Sequence, residues 1–155
     1  MSQTIAERLK ALGLALPEAP AAVANYVPFL IAGDLLYVSG QISKDANGNV
    51  LKGRLGDGLT VADGQKAART CGLNILAQAN AALGNLDRIA HVVRITGYVA
   101  STPESADQPA VINGASDLLV EVLGDAGRHT RAAVGVAALP AGCAVEIDAI
   151  IQFKN

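Results

Sequence analysis

The stretch that most restricts how this chain folds is RAAVGVAALPAGCAVEIDAII, residues 131–151. Two apolar runs flank Leu139-Pro140-Ala141-Gly142, a pattern that predicts a hairpin of strands over 131–138 and 144–151. Side chains alternate between the two faces of a strand. Ala132, Val134 and Val136 therefore oppose Ala133, Gly135 and Ala137, and neither face of the first strand is polar beyond Arg131. The second strand sets Val145, Ile147, Ala149 and Ile151 against Ala144, Glu146, Asp148 and Ile150. A sheet apolar on both faces has to be covered on both.

The remaining elements cover only one face. Thr4-Ile5-Ala6-Glu7 has the capping-box form and opens a short helix that Gly13 stops, and a Pro-punctuated connection follows. Residues 26–32 and 35–42 flank Gly33-Asp34, a dipeptide suited to a tight hairpin turn, and Pro28 favours an edge position for the first of these strands. Residues 43–58, rich in Gly, Asn and charge, read as a surface loop. From Thr60 to Gly84, Ala68, Cys71, Ile75, Ala79, Ala82 and Leu83 recur at helical spacing. Residues 86–99 read as a long strand. A second helix starts at Asp107 and Pro109, carries Val111, Ala115, Leu118, Leu119 and Val122 on one face, and closes at Gly124. The order is hairpin, helix, strand, helix, hairpin: an α+β domain with both helices on one face of the sheet, whose other face predicts an oligomer.

At 155 residues the chain fits one domain, 1–155, in which 1–21 supply the N-terminal helix and connection. Hydrophobic residues make up 51% and aromatics only 3%, so the core rests on Ala, Val, Leu and Ile. A formal net charge of −2 and the lack of any Lys/Arg cluster make nucleic acid a poor partner. The apolar stretch near the N-terminus is too short and too interrupted for a signal peptide or a membrane span, so a cytoplasmic, soluble protein is expected. Cys71 and Cys143 stand alone in apolar patterns and are expected to be buried thiols.

Once the core is assigned, few groups are left for chemistry. There is no nucleophile elbow, phosphate-binding glycine loop or metal-spaced His pair, and His91 and His129 read as surface or strand residues. Polar residues do occur on strands otherwise suited to burial: Tyr26, Ser39-Gly40-Gln41, Arg131, Glu146 and Asp148. From spacing alone, Arg131 with Glu146 or Asp148 is either a cross-strand ion pair or part of a site.

Together, Ser39-Gly40-Gln41, the Gly84-Asn85-Leu86-Asp87 helix exit, Asn113, and Arg131 followed by Leu139-Pro140 and Val145-Glu146-Ile147-Asp148 resemble the Rid family, also called YjgF or reactive intermediate deaminase, over roughly residues 22–153. The resemblance implies a chorismate-mutase-like fold assembled as a homotrimer, with clefts between subunits and no metal or organic cofactor. It implies that Arg131 grips a substrate carboxylate and that Glu146 places or activates water. Tyr26, Ser39, Gly40, Asn113 and the backbone around Ala133 would shape the cleft.

The implied reaction is hydrolytic deamination of small 2-imino or enamine acids to 2-keto acids and ammonia. A planar guanidinium orients a carboxylate through two parallel donors, and a carboxylate base serves a water held within about 3 Å. Deaminating members commonly carry Cys where this chain has Ala133, and Pro-Ala where it has His129-Thr130. A non-catalytic binder of small carboxylate metabolites is the second reading. An endoribonuclease, an activity attached to some members, is disfavoured by the acidic composition.

Overall fold

The computed structural model describes residues 2–155. Its elements in chain order are α1 (Ile5–Ala11), β1 (Phe29–Ala32), β2 (Leu35–Ile42), β3 (Arg54–Leu55), β4 (Gly58–Leu59), α2 (Val61–Leu83), β5 (Ile89–Ala100), α3 (Gln108–Leu123), β6 (Thr130–Val136) and β7 (Val145–Phe153). The main sheet runs β1-β2-β7-β5-β6. Of its pairings β5–β6 is parallel, and β1–β2, β2–β7 and β5–β7 are antiparallel. The α+β class and the two main helices follow the sequence reading.

The C-terminal hairpin does not form. β6 and β7 are not neighbours; β5 lies between them. Parallel strands need a long crossover, usually a helix, and α2 and α3 supply two, from β2 to β5 and from β5 to β6. The last strand then enters the slot between β2 and β5, antiparallel to both. The Leu-Pro-Ala-Gly segment is a 3-10 turn over Pro140–Gly142 with Ala141 at φ 56°, and it redirects the chain across β5.

Three boundaries also differ. The first strand starts at Phe29, so Tyr26 lies in the bend before it. Leu86–Arg88 forms a 3-10 turn, held by Asn85 Oδ1 accepting from the Asp87 amide, before β5 begins at Ile89. The 43–58 segment is more ordered than a plain loop: it holds β3 and β4 as a parallel pair and pins Lys52 to Cys143 through an isolated bridge.

Helical spacing becomes the core. Ala68, Cys71, Ile75 and Ala79 of α2 and Val111, Ala115, Leu118, Leu119 and Val122 of α3 are fully buried, α2 packing on β7 and β2 and α3 on α2, β5 and β6. Small residues bring the helices together; a Cβ added to Gly114 would stand 2.1 Å from the Gln65 carbonyl oxygen. Both cysteines are free and buried. The capping box at Thr4 and Glu7 is present. It starts a helix that packs on the end of α3, where Arg8 donates to the Val122 carbonyl at 3.2 Å and the Ile5 amide to Asp87 Oδ1 at 2.9 Å.

The face away from the helices bears Leu30, Tyr37 and Val134, which are 59%, 42% and 43% exposed. They form an apolar surface interrupted by Glu146 and Asp148. Among the described residues no helix is long and apolar enough to cross a membrane.

Candidate functional site

The polar residues singled out in the sequence separate into two groups. The first centres on Glu146. Between Val38 and Gln41 of β2 the register slips, so Ser39 and Gly40 together oppose Asp148: a β-bulge, a device that re-aims side chains and often borders active sites. Gly40 leaves room there for the carboxylate, since a Cβ would stand 2.6 Å from Glu146 Oε1 and the Glu146 side chain would have to move. Ser39 Oγ donates to the Val27 carbonyl at 2.7 Å and its amide to the Pro28 carbonyl at 2.9 Å, which ties the Tyr26 bend to the bulge.

Tyr26, Ser39, Gly40 and Glu146 line two recesses: an open one of about 790 Å³ on the exposed sheet face, which also takes in Asp148 and Ile150, and one of about 220 Å³ closed by Pro20–Val23 of the N-terminal connection. Burial, and secondarily the charge of Asp148, raise the Glu146 carboxyl above its ordinary pKa. Asp148 is raised by its own burial, against opposing hydrogen bonds from Tyr98 and Thr96 and the charge of Arg94.

The second group centres on Arg131. Its register partner is Ile95, which is fully buried, so its side chain leaves β6 on the helix face. There Nη1 donates to Asn113 Oδ1 at 2.9 Å and Ser116 Oγ at 3.1 Å, and Nη2 donates to the Pro109 carbonyl at 3.3 Å. All three acceptors are neutral. Guanidinium carries five N–H donors; those still free sit on Nε and Nη2, the nitrogens that share one edge of the fork. Ala133 follows on the same face, half-buried.

The cross-strand ion pair is therefore ruled out. Glu146 pairs with Tyr98 on the open face and Arg131 projects from the other, two strands away. Ser116 and His129, which the sequence did not single out for the Arg131 group, join it. Ser116 Oγ lies 2.8 Å from His129 Nε2, a contact that depends on where α3 crosses β6. Among the described residues no cluster of His, Cys, Asp and Glu is arranged to hold a metal ion.

Residues 6–150 match the family model described as "YjgF/chorismate_mutase-like, putative endoribonuclease". The chain is 48% identical to Protein TCP17 of Trypanosoma cruzi, over 99% of this chain and 97% of that one. The structure of Atu1372 from Agrobacterium tumefaciens superposes with a TM-score of 0.89 at 51% identity, over 97% of this chain and 94% of that one. Escherichia coli TdcF, solved with bound serine, superposes at 0.62 with 25% identity, over 88% and 94%.

Proposed function

The chain belongs to the YjgF/chorismate-mutase-like family, and from that premise we propose that it hydrolyses small 2-imino or enamine acids to 2-keto acids and ammonia in a cleft shared by two subunits of a homotrimer. The observation that carries this reading is the state of Arg131. The three acceptors that anchor the guanidinium are neutral and supply no counter-charge, and of its five donors one on Nε and one on Nη2 are left for a carboxylate.

The division of the site supports the shared cleft. Arg131 with Asn113 and Ala133 sits on one face at the β6 edge. Glu146, on the central strand β7, opens onto the other face, where Ser39 and Gly40 of β2 and the Tyr26 bend flank it on the β1 side. One chain does not bring both groups to a single small substrate. The exposed apolar face carrying Leu30, Tyr37 and Val134 gives a second copy something to bury, and its docking would set the Glu146 recess of one copy against the Arg131 edge of the next.

In such a cleft Arg131 fixes the substrate carboxylate, which places the imine carbon in a defined position. Glu146, with its raised pKa, is a stronger base than a solvated glutamate and takes a proton from the attacking water. The water oxygen bonds to the imine carbon and the C=N electron pair moves to nitrogen, which takes up a proton. The carbinolamine then expels ammonia as the C=O forms. Ala133 leaves this scheme intact, since no thiol takes part. TdcF, a structural neighbour, was solved with bound serine, itself a small carboxylate-bearing molecule.

The test follows keto-acid release from freshly generated 2-iminobutyrate. Wild type accelerates it, whereas Arg131→Ala and Glu146→Gln fall toward the uncatalysed rate. Release no faster than without protein overturns hydrolysis of this substrate. 2-Ketobutyrate binding that is lost in Arg131→Ala would then leave a carboxylate binder.

A further inference from the structure

The Arg131 guanidinium does not rest on Asn113 alone. Its Nη1 also donates to Ser116 Oγ at 3.1 Å. Ser116 Oγ is 2.8 Å from His129 Nε2, and His129 Nδ1 is 2.6 Å from the Gly127 carbonyl oxygen. With a neutral ring, the partners set the direction of every proton in this row. A carbonyl oxygen only accepts, so Nδ1 carries the hydrogen and donates to Gly127. In the neutral ring Nε2 then has a lone pair and accepts the Ser116 hydroxyl proton. That turns the Ser116 lone pairs toward Arg131, which donates into one of them.

Both ends of the row are fixed. Gly127 is buried against α3, where a Cβ would lie 2.2 Å from the Leu119 carbonyl oxygen, so its carbonyl does not drift. At the other end Asn113 takes the second Nη1 hydrogen. The ring is held neutral as well: burial is the largest influence lowering the His129 pKa, the charges of Arg131 and His91 lower it further, and the Gly127 hydrogen bond opposes them. The other cation on this segment, Arg128, points to Asp125.

We infer that Ser116 and His129 are positioning residues for the carboxylate site, a hydroxyl–imidazole pair of fixed hydrogen-bond polarity that locks Nη1 of Arg131 and so fixes how its remaining Nε and Nη2 donors are presented. The inference rests on the reading of Arg131 as the carboxylate anchor. It gives His129 a role that neither a solvent-facing residue nor a general base would have. The ring touches Ser116 and Gly127, and its effect on substrate passes through Ser116 and the guanidinium.

The experiment measures 2-ketobutyrate binding by calorimetry on the assembled protein at about pH 8, where the ring is neutral. Ser116→Ala and His129→Ala should each weaken binding about fivefold, the worth of one ordinary hydrogen bond. Ser116→Thr, which keeps the hydroxyl, should restore it. The double variant should bind no more weakly than either single one, because both act through one contact. In Arg131→Lys, which keeps the charge and lacks the fork, neither change should alter binding further.

Ring ¹⁵N shifts should report the neutral Nδ1–H tautomer at His129. If His129→Ala does not fold, His129→Phe keeps the ring shape without the acceptor and replaces it. Wild-type affinity in folded Ser116→Ala and His129 variants overturns the inference while leaving Arg131 as anchor. Equal losses in the Arg131→Lys background, or an Nε2–H tautomer, also overturn it. Wild-type affinity in Arg131→Lys itself overturns the anchor reading on which it rests.

Discussion

Arg131 and Glu146 leave the sheet on opposite faces, with β5 between their strands. A substrate of a few carbon atoms cannot touch both within one chain, so the proposed reaction depends on a neighbour. Neither Arg131→Ala nor Glu146→Gln should be active by itself. Assemblies re-formed from an equal mixture of the two should recover activity, because roughly a quarter of the shared clefts then take an intact half from each subunit. Activity that does not rise on mixing, with mixed assembly verified by mass, would place the whole site in one chain.

Gly40 leaves the space that the Glu146 side chain occupies. With 2.6 Å between a hypothetical Cβ and Oε1, Gly40→Ala displaces the carboxylate from the bulge. A misplacement of about 1 Å at a reacting group costs up to about a hundredfold in rate. A fall of that order in kcat, with 2-ketobutyrate affinity held by Arg131 nearly unchanged, is expected. In the Glu146→Gln background Gly40→Ala should add little. An equal further loss there would mean that Gly40 serves the fold and not the carboxylate.

Asp148 lies on the open face beside Glu146, and its charge is the second cause of the raised Glu146 pKa, after burial. A general base works when deprotonated, so in the proposed reaction activity should fall as pH drops through the folded pKa of Glu146. The acid limb of the kcat/KM profile should therefore lie above the ordinary glutamate value of about 4.3. Asp148→Asn removes the neighbouring charge and should move that limb toward lower pH. For stability the sign is the reverse of the usual carboxylate case. The folded state holds protons on Glu146 and Asp148 more tightly than the unfolded chain does, so the two cost stability as pH rises above the ordinary carboxylate range. Asp148→Asn should raise Tm at about pH 8 and lose that advantage near about pH 3. An unmoved acid limb would show that the two carboxyls do not sense each other.

What the sequence made legible and what it hid have separate physical origins. Helix α2 could be read from local periodicity because one face of Ala68, Cys71, Ile75 and Ala79 is buried by everything it meets. The pairing of β6 and β7 could not, because an apolar strand fits equally beside any strand, and a Leu-Pro-Ala-Gly turn looks like a hairpin whether or not its arms meet. What places β5 between them is the pair of helical crossovers, a long-range property. Arg131 and Glu146 stood out as charges on apolar strands, and Asn113 through the family resemblance. Ser116 and His129 carried no such contrast, since a serine on a helix and a histidine before a strand are ordinary until α3 is laid across β6.

The N-terminal helix is a clamp on the rest of the domain. Leu9 is buried at 7% exposure, Arg8 caps the Val122 carbonyl, and the capping box holds the first turn. Thr4→Ala should cost about 1 kcal/mol through the lost cap, and Leu9→Ala about 2 to 3 kcal/mol through the lost burial and cavity, both measured by urea unfolding with unchanged m-value. Wild-type stability in Leu9→Ala would show that α1 adds nothing to the core.

The tightest constraint between the two long helices is Gly114, whose added Cβ would stand 2.1 Å from the Gln65 carbonyl oxygen and 2.9 Å from its Cα. Backbone atoms do not swing aside as a flexible side chain does, so Gly114→Ala has to push α3 away from α2. Overpacking of this kind costs about 1 to 3 kcal/mol. It also reaches the site, because Asn113 and Ser116, which hold Arg131, lie on the same turns of α3. Gly114→Ala should therefore lower Tm and weaken 2-ketobutyrate binding together, whereas Gly84→Ala, strained at φ 76° at the far end of α2 with nothing within 4 Å of its added Cβ, should lower Tm alone. Equal binding losses in both would show that the anchor responds to global stability and not to the seating of α3.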